Sequence, residues 1–194
     1  MVQTASKPLS LHEFLQLSET KPASEFIDGQ IIQKPMPQGK HSTIQSDLGA
    51  DINRVLKPQR IARAYPELRC TFCGRSTVPD LAVFTWERIP RDENGEVANT
   101  FAIAPDWTIE ILSPDQSQTK VVRNILYSLA HGTQMGWLID PEEELVFVYF
   151  AVSEALAEDR TIAVFEEPGD RIPVPTFAES FNLTVAEMFS WLTQ

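Results

Sequence analysis

Apolar positions recur along this chain in two rhythms, one near 3.6 residues and one of two, and together they predict an α/β order. Ser10-x-x-Glu13 is a capping box that opens a short helix, Leu11 to Leu17. Phe26-Ile27-Asp28-Gly29-Gln30-Ile31-Ile32 reads as a hairpin turning on Asp-Gly. After the break Lys34-Pro-Met-Pro-Gln-Gly39, Ile44, Leu48, Ile52 and Val55 recur at helical spacing and predict a helix from about His41 to Leu56. Strands are expected at Ile61 to Tyr65, Arg69 to Phe72 and Val78 to Thr85. A polar stretch from Trp86 to Pro105 separates these from a strand at Trp107 to Leu112. Val121, Val122, Ile125, Leu126 and Leu129 mark the inner face of a helix from about Gln118 to His131, ended by Gly132. Met135 to Ile139 and Leu145 to Phe150 follow as strands about the turn Asp140-Pro-Glu-Glu-Glu144. Ile162 to Phe165 supplies an edge strand, Pro168 to Pro175 a loop, and Thr184-x-x-Glu187 caps a last helix through Trp191. The sum is one α/β domain over residues 1–194, with a mixed sheet flanked by helices.

Two of these apolar runs carry a carboxylate. Val78-Pro-Asp-Leu-Ala-Val-Phe84 holds Asp80 at its opening, and Trp107-Thr-Ile-Glu-Ile-Leu112 holds Glu110 in its middle. A charge inside a buried strand is costly unless something compensates it. A hard divalent cation is an economical compensation, because magnesium is usually held by one or two carboxylates plus water and phosphate oxygens. Asp80 and Glu110 are therefore candidate metal ligands, with the Ile111 carbonyl a possible third. The plainer readings are a strand-start aspartate bonded to nearby backbone, and a salt bridge from Glu110 to an arginine or to Lys120.

Composition narrows the class. With 43% hydrophobic and 22% charged residues the chain has an ordinary globular balance. It has neither a run long enough to span a bilayer nor the layout of a secretory leader, so a cytoplasmic location is expected. The net charge of −11 argues against tight, nonspecific binding of DNA by a monomer. A metal would neutralise local acid, and a dimer could gather Arg54, Lys57, Arg60, Arg63 and Arg69 on one face. Cys70 and Cys73 have CxxC spacing, but no second pair completes a zinc site, and two ordinary reduced thiols are expected.

Five motifs stand in a telling order: Glu25-Phe-Ile-Asp-Gly29, His41 opening a helix, Pro79-Asp-Leu-Ala-Val83, Glu110-Ile-Leu-Ser-Pro114 and Gly136-Trp-Leu-Ile-Asp-Pro141. In this order, over roughly residues 10 to 192, the chain resembles the Uma-type family, catalogued as putative restriction endonucleases and formerly as a domain of unknown function. The resemblance implies a restriction-endonuclease-like PD-(D/E)xK fold and a magnesium-dependent endonuclease, with manganese a possible substitute, acting on DNA as a homodimer. It carries Asp80 and Glu110 across as metal ligands. The lysine carries across less directly: Leu112 stands where Glu-x-Lys would place it, and Asn124 stands at its position on the following helix. Lys120, one turn earlier on the same face, is the nearest substitute. Glu25 is either a third carboxylate at the metal or an exposed hairpin residue. His41 and Gln45, at i and i+4, are either substrate-orienting groups or first-turn solvated residues. Asp140 is expected in a plain turn, Trp107 and Trp137 in the core, and His12 and His131 on the surface. The departure at the lysine position keeps a second reading open, a catalytically impaired nuclease fold that binds protein or nucleic acid.

Overall fold

The computed structural model describes residues 9–114, 116–151 and 162–193. Its elements run α1 (Leu11–Leu15), β1 (Ser24–Ile27), β2 (Gln30–Gln33), α2 (Gly39–Leu56), β3 (Ala62–Pro66), β4 (Cys70–Phe72), β5 (Arg75–Thr77) and β6 (Leu81–Thr85). They continue through β7 (Trp107–Ile111), α3 (Gln118–Leu129), β8 (Met135–Asp140), β9 (Leu145–Phe150), β10 (Ile162–Phe165) and α4 (Val185–Ser190). The predicted mixed sheet is the six-stranded one, ordered β10-β9-β8-β7-β6-β3. Among the described strands only β7 and β8 pair in parallel, and α3 makes the crossover between them.

A second, four-stranded antiparallel sheet, β2-β1-β5-β4, was not foreseen as a separate layer. Its strand β5, Arg75-Ser-Thr77, is short and polar, and so escaped a pattern based on apolar runs. Other differences lie at element ends. β6 begins at Leu81 rather than Val78, because Pro79 has no N–H and the Val78 N–H is taken by the Glu25 carboxylate at 2.8 Å. α3 stops at Leu129, and Gly132 turns the chain at φ +103°. α1 stops at Leu15, leaving Leu17 exposed, and a 3₁₀ turn at Trp191–Thr193 follows α4. Both predicted capping boxes form, Ser10 with Glu13 and Thr184 with Glu187.

The six-stranded sheet buries both faces. On one, Trp107, Ile109 and Ile111 of β7 and Trp137 and Ile139 of β8 pack with Ile44, Leu48 and Ile52 of α2 and Met188 of α4. On the other, Leu138 and Tyr149 meet Val121 and Ile125 of α3. Gly136 allows that close approach: a Cβ there would lie 2.3 Å from the Ile125 Cγ2. A third cluster, Cys70, Phe72, Ala82, Phe84 and Phe101, joins the two sheets. The polar stretch after β6 is partly ordered by pairing, with an antiparallel bridge from Arg91 to Val97 and a parallel one from Phe101 to Cys70. Both cysteines are free thiols, Cys70 buried in β4 and Cys73 exposed at the β4–β5 turn. Asp140 ends β8 and caps the plain turn after it, its Oδ1 accepting the Glu142 and Glu143 N–H groups.

Candidate active site

Antiparallel register brings the two carboxylates together. Leu81 of β6 pairs with Ile109 of β7, so Asp80 and Glu110 stand one step further along the same ladder. Both are buried, at 2% and 5% relative exposure. Asp80 is fixed from several sides. Its Oδ2 accepts the Ile111 N–H at 2.7 Å and lies 3.1 Å from His41 Nε2. Its main-chain carbonyl accepts from Gln45 Nε2 at 2.8 Å and from the Glu67 N–H at 3.2 Å. His41 and Gln45 therefore belong to the site, as two residues on one face of α2 that both hold Asp80. His41 is buried rather than solvated, and its Nδ1 has no hydrogen-bond partner among the described residues.

The cation at the pair is Lys34, which follows β2. Its ammonium donates to Asp80 Oδ1 at 2.6 Å and to the Val78 carbonyl at 2.8 Å, and lies 3.4 Å from Glu110 Oε2. Glu25 is buried beside it and accepts the Val78 N–H, so its exposed-hairpin reading does not hold. Sequence reasoning missed Lys34. It reads there as the first residue of a Pro-broken loop, and no local pattern reports a contact with partners so far along the chain. Its one signal is that it closes the hairpin strand beside Glu25.

The charges shift one another. Burial pushes Glu110 up to about 8, Lys34 opposing the rise and the Asp80 and Glu25 carboxylates adding to it. Burial acts the same way on Asp80, but Lys34 and His41 outweigh it and hold the group at about 2. Glu25 is raised by burial against the pull of Lys34. Burial disfavours a charged Lys34, yet Glu110, Asp80 and Glu25 raise it well above the ordinary lysine range. Burial also pushes Cys70 up to about 12, so it stays a neutral thiol.

Lys34 and Glu25 also line a groove of about 640 Å³ between the β1–β2 hairpin and the first turns of α3. Lys120, Asn124, Arg75 and Arg123 line it as well. Lys120 and Asn124 thus face the groove, whereas the two carboxylates are contacted by Lys34, and Asp80 also by His41. Arg54 pairs with Asp51, Arg69 pairs with Glu19, and Arg63 lies over Tyr65. The cations nearest the carboxylates are a different set from those singled out by sequence.

No group of three His, Cys, Asp or Glu side chains among the described residues forms a ready metal cluster. The donor chemistry still suits a hard divalent ion. Asp80 Oδ1 and Glu110 Oε2 already share one cation, a lysine ammonium, and two carboxylates suffice when water and phosphate complete the shell.

The model of the Uma2 family, described as "Putative restriction endonuclease", matches residues 11–186, an interval holding every group named above. The chain belongs to the Uma2 family. A crystal structure at 1.96 Å resolution, described as a putative nuclease belonging to DUF820 from Anabaena variabilis ATCC 29413, is 64% identical. It superposes with a TM-score of 0.90, covering 95% of this chain and 99% of its own. No curated protein matches. The resemblance read from five motifs and the restriction-endonuclease-like fold both stand, and Uma2 membership supports a nuclease-like function.

Proposed function

We propose that this Uma2 protein is a magnesium-dependent endonuclease that hydrolyses phosphodiester bonds in DNA. One observation carries the reading: Asp80 and Glu110 hold a single cation position, 2.6 and 3.4 Å from the same nitrogen, beside a groove lined with basic side chains. Asp80 and Glu110 would hold the ion, with the Ile111 carbonyl as a further oxygen and Glu25 nearby. Magnesium, or manganese in its place, supplies Lewis-acid stabilisation of a phosphate and lowers the pKa of water when bound. The chain's own residues do the rest. The Ile111 N–H and His41 orient Asp80, Gln45 anchors its backbone, and Lys120 and Arg123 neutralise phosphates along the groove, with Asn124 a neutral donor among them.

The test is cleavage of supercoiled and linear DNA in magnesium or manganese. Asp80→Asn and Glu110→Gln should reduce cleavage to background with an unchanged circular dichroism spectrum; wild-type activity in either variant overturns the assignment. Leu112, Asn124 and the Lys34 ion pairs favour a second reading, a catalytically impaired binding module. Under it, wild type binds DNA without cutting and Asn124→Lys gains cleavage. Cutting both strands of a duplex favours a homodimer, and a monomer in sedimentation velocity, with and without DNA, overturns that expectation.

A further inference from the structure

Lys34 does more than neutralise charge, because its place is the one a metal would need. Asp80 Oδ2 is already engaged by the Ile111 N–H and His41, which leaves Oδ1 as the oxygen free for a cation, and Oδ1 holds the Lys34 ammonium at 2.6 Å. The nearest oxygen of Glu110 faces the same nitrogen. With the Val78 carbonyl, these partners use the three donors an ammonium has. A divalent ion bound to the same two oxygens would sit within a few ångströms of that ammonium, where like charges in a poorly screened site repel strongly. The backbone of Lys34 is fixed, its N–H donating to the Ala23 carbonyl at 2.9 Å and Pro35 following. The four-carbon stem is not fixed in the same way, and it borders the open groove.

We infer that Lys34 and the divalent ion occupy the Asp80–Glu110 position in mutually exclusive fashion, so that metal entry turns the Lys34 ammonium out into the groove. The inference rests on the metal-binding reading of the site and adds an internal competitor to it. It assigns Lys34 two positions, one holding the carboxylates together without metal and one facing the groove where phosphates would lie. The metal's net affinity then includes the cost of breaking the ammonium contacts.

Two measurements test it with manganese alone, independently of cleavage. In wild type, acetylation by an amine-reactive ester is followed residue by residue by mass spectrometry. Lys34 should react far more slowly than exposed Lys57 without metal and several-fold faster at saturating manganese, with Lys57 unchanged. Manganese affinity of Lys34→Met is compared with wild type by calorimetry and should rise about tenfold or more, the competing charged hydrogen bonds having gone. If wild type binds manganese while Lys34 reactivity stays constant, the exclusion is overturned and the metal reading stands. If Lys34→Met alone binds manganese, the shared position stands and metal-dependent hydrolysis fails. If neither protein binds, both readings fall. Should Lys34→Met not fold, the wild-type acetylation decides the matter.

Discussion

At the scale of single residues, the site stores a conflict that pH can expose. Glu110, raised from an ordinary value near 4.5 to about 8, keeps its proton in the fold when the unfolded chain has lost it. Its contribution to stability is therefore complete below pH 4.5 and is lost as pH rises through about 8. Asp80 runs the other way: held at about 2 against 3.8, its contribution is lost only as pH falls through that range. The metal-free protein should then melt at progressively lower temperature from pH 5 to pH 8.5. Glu110→Gln should flatten the slope, leaving the part due to Glu25, and magnesium should flatten it in wild type by favouring the ionised carboxylate. A Tm that rises over the same range would contradict the assignment. The same residues mark how far sequence carries. Asp80 and Glu110 are visible as charges misplaced in apolar runs, which is a local signal. Lys34 has no such signal, because its stem and ammonium are ordinary for a loop lysine and its partners come from β6 and β7. His41 was ambiguous for the opposite reason: a first-turn histidine is usually wet, and only the packing of α2 beside Asp80 buries it.

At the scale of elements, hydrophobic periodicity identified the long helices and the core strands, because each must bury one stripe or face. It passed over β5, which is three residues long and polar, paired along its whole length with β4 and through Ser76 with β1. The seating of α3 on β8 depends on one missing side chain. Gly136→Ala would place a Cβ 2.3 Å from Ile125 Cγ2, so the helix or the strand must move, at a cost of about 1–3 kcal/mol for overpacking. Urea denaturation should report that loss, and Ile125→Ala should cost less in the Gly136→Ala protein than in wild type, because it removes the colliding group. If Gly136→Ala is as stable as wild type, α3 does not pack as described. Because Lys120, Arg123 and Asn124 ride on α3, Gly136→Ala should also alter DNA affinity more than manganese affinity.

At the scale of the whole molecule, a net charge of −11 contrasts with a groove whose lining sets Lys34, Arg75, Lys120 and Arg123 against Glu25 and Asp28. Under the proposed function, phosphate would follow the cations of that groove toward the buried carboxylates. The double variant Lys120→Glu, Arg123→Glu should weaken DNA binding by a similar factor for any sequence. It should also reduce the slope of log affinity against log salt by about two, while leaving manganese affinity nearly unchanged. Fluorescence anisotropy across a salt series reads both quantities, and an unaltered slope would place the DNA elsewhere. The β6–β7 register has a consequence of another kind. Asp80 and Glu110 meet through ladder pairing, so the length of chain between them is free to vary without changing the chemistry. The tip at residues 92–96 is held by the Asp92 side chain, which accepts the Asn94 and Glu96 N–H groups, and by the Arg91–Val97 bridge at its base. Replacing that tip with a two-residue Asn-Gly turn should leave manganese binding intact, whereas inserting a single residue between Asp80 and Leu81 should abolish it. The carboxylate pair would tolerate a shortened loop tip and fail on one extra residue.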